Sequence, residues 1–417
     1  MGLNETPSAN RVHIGFFGRR NAGKSSLLNA VTGQDLAVVS EVKGTTTDPV
    51  YKAMELLPMG PVLIIDTPGI DDEGSLGELR VRKARQVLNK TDVAVLVVDA
   101  SEEGRGARPG DSGGVLFPVE LELVDIFRAK GVPFIIAWNK IDALGQDAPP
   151  PAIPNAELIA CSARAGKNIK ELKERIAVLA VTEDAKLRIV GDLLHPSDFA
   201  VLVTPIDKAA PKGRLILPQQ QTIRDILEAD AAALVVKEHE LRDALAALGK
   251  KPAIVITDSQ VFAKVSADVP PDIPLTSFSI LFSRYKGTLE ASVRGVLPMD
   301  ALKTGDKVLV CEGCTHHRQC DDIGTVKLPR WVKNYTSTEP EFCFNSGGDF
   351  PDDLSPYKMV IHCGGCMLNE REMNYRARCA ADQNIPFTNY GIVIAHMQGI
   401  LRRSIAMFPH IASQLEE

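Results

Sequence analysis

The run Gly18-Arg19-Arg20-Asn21-Ala22-Gly23-Lys24-Ser25 fits G-x-x-x-x-G-K-[ST], the spacing of a phosphate-binding loop. Glycines let successive backbone N–H groups curl around phosphate oxygens, and the helix that follows adds the partial positive charge of its N-terminus. Lys24 then reaches the β- and γ-phosphates, and the Ser25 hydroxyl sits on Mg²⁺. The flanks agree. An apolar run, Val12 to Phe17, leads in, and Ser25-Ser26-Leu27-Leu28-Asn29-Ala30 leads out with helical character. The alternative, a Gly-rich turn that binds nothing, needs neither flank. Gly18, Asn21, Ala22, Gly23, Lys24, Ser25 and Ser26 are the expected phosphate-side contacts.

Three more pieces follow, each at the end of an apolar run. Leu63-Ile64-Ile65 ends in Asp66-Thr67-Pro68-Gly69, where Asp66 can hold Mg²⁺ through water and the Gly69 N–H can meet a γ-phosphate. Val132 to Trp138 ends in Asn139-Lys140-Ile141-Asp142. A carboxylate there accepts from both the N1–H and the N2 amine of guanine, which adenine does not offer. Leu158-Ile159-Ala160 runs into Cys161-Ser162-Ala163, a loop whose backbone can contact the guanine O6. Four such pieces in this order imply a guanine nucleotide, with Lys24, Asp66 and Gly69 in catalytic roles and Asn139, Lys140, Asp142, Ser162 and Ala163 around the base. Gly44-Thr45-Thr46-Thr47-Asp48 resembles the G-T-T-x-D first switch of the GTPases that include the tRNA-modification and ribosome-assembly enzymes. That resemblance implies that Thr46 is a Mg²⁺ ligand with a catalytic role. It also implies that Asn21 coordinates an activating K⁺; the plainer reading of Asn21 is a turn residue. Ile70, not Gln, follows Gly69, so the usual water-orienting side chain is missing and intrinsic hydrolysis is expected to be slow or K⁺-assisted.

A second constellation lies far downstream. Of eight cysteines, Cys161 stands alone; Cys311, Cys314, Cys320, Cys343, Cys363, Cys366 and Cys379 all lie beyond residue 310. Cys311-Glu312-Gly313-Cys314-Thr315-His316-His317 and His362-Cys363-Gly364-Gly365-Cys366 each end an apolar strand candidate, so their thiolates can converge if the strands share a sheet. No secretory signal is read ahead of the first strand, so metal is favoured over disulfide. Three thiolates from Cys314, Cys363 and Cys366 would leave one iron of a cubane open, whereas two C-x-x-C pairs could make a zinc site. His316, His317 and His362 are each either a fourth ligand or a hydrogen-bond donor to cluster sulfur.

The elements that must position these residues are an alternation of strands and helices. Strands are expected near 12–17, 50–57, 61–66, 93–99, 132–138 and 157–161, with helices near 25–32, 76–90, 117–130 and 167–180. That makes an α/β phosphate-loop GTPase domain over 1–177, doubly wound around a mostly parallel sheet. Two smaller α/β domains follow, a packing or dimerisation module over 185–265 and a cysteine-bearing domain over 266–417, with no internal repeat evident. The chain has 417 residues, 45% of them hydrophobic, 24% charged and 5% aromatic, with a net charge of −6. An acidic chain poor in aromatics argues against nucleic-acid partners. No apolar run approaches the roughly 18 residues of a membrane span; the expected setting is cytoplasmic. The loose myristoylation pattern at Met1-Gly2 is ascribed to chance.

The fusion of a GTPase domain to Cys314-x-His316 and, after residues 317–361, His362-Cys363-x-x-Cys366 resembles the FeFe-hydrogenase maturation GTPases, the HydF family. The resemblance spans essentially the whole chain. It implies a 4Fe–4S cluster on Cys314, Cys363 and Cys366 with an exchangeable fourth ligand. It implies a scaffold and carrier for the di-iron precursor of the hydrogenase active site, working with two radical-SAM maturases and the immature hydrogenase, and a homo-oligomer. Cys311, Cys320, Cys343 and Cys379 lie outside the motif. The rival reading is a ribosome- or tRNA-associated GTPase with a structural zinc module. If Asn21 holds K⁺, GTP turnover is faster in K⁺ than in Na⁺ and Asn21→Ala abolishes the difference; equal turnover in the two salts refutes it.

Overall fold

The computed structural model describes residues 6–34, 49–70, 83–102, 116–144, 153–180, 188–205, 215–313 and 322–415. Two compact units divide the chain, residues 1–184 and 185–417.

Near-continuous Val/Ile/Leu runs suit strands covered on both faces. In the first unit these are β1 (Val12–Phe17), β2 (Val50–Leu56), β3 (Gly60–Asp66), β4 (Val93–Asp99), β5 (Phe134–Asn139) and β6 (Glu157–Ala160). Their order is β2-β3-β1-β4-β5-β6. β2 is antiparallel to β3 and every other pairing is parallel. Ile14, Phe16, Val95, Val97 and Ile135 pack on one face with Leu27, Leu28 and Val31 of α1 (Lys24–Thr32) and with Leu172 and Ile176 of helix Ile169–Ala180. Phe17, Ile65, Leu96, Val98 and Ile136 pack on the other with Leu123, Val124 and Phe127 of helix Pro118–Ala129. Pro118 opens that helix, and Glu120 accepts the Phe117 N–H at 3.0 Å, a start that satisfies a donor the helix cannot. This is the doubly wound fold expected, and its parallel strands deliver the loops after β1, β3, β5 and β6 to one edge.

The second unit holds two four-stranded sheets, all parallel. β7 (Phe199–Val203), β8 (Ala232–Val236), β9 (Ile254–Thr257) and β10 (Leu275–Ser277) are arranged β10-β9-β7-β8. β11 (Lys307–Glu312), β12 (Glu341–Ser346), β13 (Met359–His362) and β14 (Phe387–Asn389) are arranged β12-β11-β13-β14. The two orders are the same, so the unit is an internal repeat, which corrects the expectation of none. Ile273-Pro274-Leu275-Thr276-Ser277-Phe278 and Ile385-Pro386-Phe387-Thr388-Asn389-Tyr390 stand in equivalent places, followed by Ile280/Ile392, Gly287/Gly399, Leu289/Leu401 and Ser292/Ser404. Ser277 Oγ caps helix Phe278–Tyr285 by accepting from Ile280 N at 3.3 Å, and Asn389 Oδ1 caps helix Tyr390–Met397 by accepting from Ile392 N at 2.8 Å. Gly287 (φ +72°) and Gly399 (φ +70°) close the two helices in the left-handed region. The helices meet at equivalent positions: a Cβ on Gly391 would lie 2.5 Å from Ser279 Cβ, so this contact needs glycine.

The break expected at 265–266 falls inside helix Phe262–Asp268, and β10 beyond it pairs with β9. The chain of the second sheet therefore runs past that point. One core joins both sheets, with Val201, Ile256 and Phe282 alongside Val310, Ile361 and Ile394. A smaller core of Leu309, Cys311, Val360, Met373, Ala380 and Phe387 lies under helix Glu370–Asp382.

Helix Leu289–Val296 presses on β14 through Gly295, where an added Cβ would stand 2.0 Å from the Phe387 carbonyl oxygen. Gly295→Ala is expected to destabilise the second unit by about 1–3 kcal/mol, seen as a lower Tm in thermal unfolding. An unchanged Tm would mean that the helix shifts without cost.

Candidate functional site

The loop after β1 is shaped by three left-handed or extended positive-φ residues, Gly18 (φ +145°), Asn21 (φ +59°) and Gly23 (φ +89°). A Cβ on Gly18 would lie 2.2 Å from the Val97 carbonyl oxygen, and one on Gly23 would lie 2.4 Å from Asn139 Nδ2. Gly23 leads into α1, whose first N–H groups have no intrahelical acceptor. Lys24 is buried under the loop and donates to the Gly18 and Arg19 carbonyls at 3.1 and 2.8 Å. Ser25 Oγ donates to Asp66 Oδ2 at 2.7 Å, joining two groups expected around Mg²⁺. Asp66 Oδ1 is buried with no hydrogen-bond partner. Burial pushes the Asp66 carboxyl up, opposed by the Ser25 hydrogen bond and by Lys24. A buried carboxylate oxygen without a donor, beside a hydroxyl, fits a hydrated divalent cation. Gly69 crosses the loop so closely that a Cβ would stand 2.8 Å from Arg20 Cα. Ile70 is buried. Thr46 lies outside the described residues.

On the base side, Asn139 is buried and ties three motifs together. Its Nδ2 donates to the Ala22 carbonyl at 3.0 Å, and its Oδ1 accepts from Ala163 N at 3.1 Å. Ser162 Oγ donates to Asp142 Oδ1 at 2.5 Å and accepts from Ala165 N at 2.9 Å. Lys140 Nζ pairs with Asp99 Oδ2 at 2.5 Å. Burial alone would raise the Asp99 carboxyl, but the hydrogen bonds from Lys140 and Ser101 outweigh it and hold it below the usual range. Asp99 was missed in the sequence, where its one signal was a carboxylate ending an apolar run. Cys161 is buried and its thiol is pushed up to about 12 by burial, a packing role.

In the second unit the register Cys311↔His362 sets the ends of β11 and β13 side by side, as the convergence of thiolates requires. Cys363 N donates to the Cys311 carbonyl at 2.8 Å. Cys363 Sγ accepts from Gly313 N at 3.2 Å and from Gly365 N at 3.4 Å. Burial raises the Cys363 thiol, and these two amides lower it. Gly365 (φ +62°) turns the loop where a Cβ would lie 2.5 Å from Met373 Sδ, whereas a Cβ on Gly364 would meet nothing within 4 Å. Two thiols three residues apart, one already cradled by amides beside an open loop, fit thiolate ligation of a cluster or metal. Cys363 and Cys366 pack against the larger core, and Cys311 belongs to the smaller one. Burial pushes the Cys311 thiol up to about 12. Cys343 and Cys379 pack against that smaller core as well. Cys314, His316, His317 and Cys320 lie outside the described residues. Among the described residues no group of three or more His, Cys, Asp or Glu is placed to hold a metal.

His362, open to either a ligand role or a donor role towards cluster sulfur, makes two other contacts in this structure. It is fully buried, its Nδ1 lies 2.7 Å from the Cys363 carbonyl and its Nε2 lies 3.0 Å from Arg376 Nη1. Both ring nitrogens are committed, so neither is open to a metal here. Burial and then Arg376 depress its pKa to about 3, which leaves the ring neutral. Arg376 and Glu372 were missed in the sequence; their i,i+4 spacing on a helix that also buries Met373 and Ala380 was the available signal.

Residues 189–287 match the family described as Hydrogen maturase F dimerization domain, and residues 290–407 match the Hydrogen maturase F tetramerization domain. The chain belongs to the hydrogen maturase F family. Residues 13–140 match the family described as 50S ribosome-binding GTPase, and the first unit is a phosphate-loop GTPase domain. Among curated relatives, the tRNA modification GTPase MnmE of Methylococcus capsulatus is 36% identical over 160 residues, covering 38% of this chain and 32% of that protein. GTPase Der of Wolinella succinogenes is 34% identical over 205 residues, covering 46% and 40%. The chain spans about a third of the length of most such relatives it matches. The crystal structure of a probable GTP-binding protein engB is 26% identical, with a TM-score of 0.32, covering 40% of this chain and 98% of that one. Among the described residues no helix is long and apolar enough to cross a membrane.

If Asp142 reads guanine, Asp142→Asn is expected to weaken GTP roughly 100-fold and to favour xanthosine triphosphate, because an amide cannot accept both guanine N–H groups. Competition binding measures this, and unchanged GTP preference would remove Asp142 from the base site.

Proposed function

We propose that this protein hydrolyses GTP with Mg²⁺ and serves FeFe-hydrogenase maturation as a homo-oligomeric scaffold. In this reading the di-iron precursor of the hydrogenase active site is its cargo, received with the help of two radical-SAM maturases and handed to the immature hydrogenase. The observation that carries it is the Cys363 thiol, held by two backbone amides beside Cys366 in a domain of the maturase family. Lys24 would leave its loop carbonyls for the β- and γ-phosphates. Ser25, Thr46 and Asp66 would hold Mg²⁺, with Asn21 at K⁺. Gly69 N–H would meet the γ-phosphate, and Asp142 with the Ser162-Ala163 backbone would read the base. Cys314, Cys363 and Cys366 would hold a 4Fe–4S cluster, which when bound supplies one iron for an exchangeable ligand. His316 is a candidate for that fourth position. His362 is better read as a support for the loop, since both its nitrogens are used. The relatives named for tRNA modification match only 38–40% of this chain, which favours the maturation reading over a ribosome- or tRNA-associated GTPase.

The test is anaerobic purification with iron, sulfide and zinc analysis. The reading expects a brown protein with thiolate-to-iron absorption. Replacing Cys314, Cys363 or Cys366 by Ser should abolish iron loading and leave GTP hydrolysis intact, and Cys343→Ser should leave both. A colourless protein with one tightly held zinc per chain would refute the cluster.

A further inference from the structure

Arg376 is among the largest fully buried side chains of the protein. A buried guanidinium is costly unless its charge is paired and its donors are used. Here Nε and Nη2 both lie 2.9 Å from Glu372 Oε1, Nη2 donates to the Gly347 carbonyl at 2.8 Å, and Nη1 faces His362 Nε2 at 3.0 Å. Glu372 neutralises the charge where it stands, so this is no anion site. Glu372 is itself fixed: its N–H donates to Asn369 Oδ1, the cap of helix Glu370–Asp382, at 3.0 Å. Gly347 in turn donates its N–H to the Glu312 carbonyl at 2.9 Å. One side chain therefore links the ends of β11, β12 and β13 to the helix that covers them.

The link has a direction. A guanidinium only donates, so His362 Nε2 accepts and the ring proton must sit on Nδ1. Nδ1–H then donates to the Cys363 carbonyl. The next peptide carries the open loop through Gly364 and Gly365 to Cys366. We propose that Arg376 is a positioning residue for the cluster loop: it fixes the tautomer and orientation of His362, whose Nδ1–H clamps the Cys363 carbonyl and so sets where the Cys363 and Cys366 thiols point. This rests on the reading that those cysteines hold the cluster. Lysine does not substitute, because a point ammonium cannot serve Glu372, Gly347 and His362 in one plane.

The test uses the full chain, reconstituted anaerobically with iron and sulfide, as wild type, Arg376→Met, His362→Ala and His362→Asn. Asparagine returns an amide N–H near the Nδ1 position and offers no ring nitrogen to iron. The readouts are the EPR spectrum of the reduced cluster and the Co²⁺ affinity of the cluster-free chain, followed by thiolate-to-cobalt absorption. Arg376→Met and His362→Ala are expected to weaken Co²⁺ about 10- to 100-fold and to alter the EPR spectrum, with GTP hydrolysis unchanged. His362→Asn is expected to restore the wild-type spectrum. A folded Arg376→Met protein with wild-type spectrum and Co²⁺ affinity overturns the proposal. So does a His362→Asn spectrum altered as in His362→Ala, since that marks the ring as an iron ligand; this comparison decides the matter even if Arg376→Met does not fold. A wild-type chain that takes up no iron overturns the cluster reading itself, and is told apart because it needs no variant.

Discussion

Backbone N–H groups left over where parallel strands stop are the resource on which both halves of this molecule depend. Inside a sheet every amide is spent on the next strand. At the C-terminal edge the ladder ends, and the chain must offer those donors to something else. After β1 the Gly18 and Arg19 carbonyls turn onto buried Lys24, and the chain leads into α1, whose first N–H groups have no intrahelical acceptor. After β11 and β13 two such amides, from Gly313 and Gly365, converge on one sulfur. A phosphate loop and a cysteine loop differ in chemistry, but in both the spare amides at a strand end are what an acceptor meets.

Such edges are crowded, and crowding decides the residue types. Gly18, Gly23 and Gly69 stand where a Cβ would strike backbone or Asn139. Gly313 and Gly365 stand where one would strike Leu368 and Met373. Between these close approaches, polar side chains act as ties between loops. Asn139 spans the phosphate loop and the last loop of the base side, and His362 spans a buried cation and the Cys363 peptide. Both are buried with their polar atoms used, which makes them stiff.

The repeat in the second unit shows how one architecture is put to two ends. In the first copy the loop after β9 is closed by Asp258, whose carboxylate accepts Gln260 N at 3.0 Å and starts a short helical turn. In the second copy the equivalent loop carries Cys363 and Cys366 and lies open at Gly364. The shared core and the facing helices Phe278–Tyr285 and Tyr390–Met397 are common to both. At the end of the third strand the two copies differ in kind, a capped turn in one and an open cysteine loop in the other.

Candidate chemistry was readable from short stretches of chain. Gly18 to Ser25, Asp66 to Gly69, Asn139 to Asp142 and Cys363 to Cys366 were legible because each is a short contiguous run at the end of an apolar strand, where spacing alone fixes which donors lie together. The alternation of those strands with helices likewise gave the first sheet almost to the residue. Longer-range relations were decided only in three dimensions. The repeat was hidden because packing conserves shape more than identity, leaving Ile-Pro-x-Thr and scattered Gly, Leu and Ser as its trace. The sheet of β7 to β10 continues past residues 265–266 because β10 lies beyond that point and pairs with β9, a pairing that no local run records. The role of His362 depended on Arg376, a partner brought within reach by helix Glu370–Asp382 folding over the sheet; spacing in the chain carries no record of what a buried ring's second nitrogen will meet.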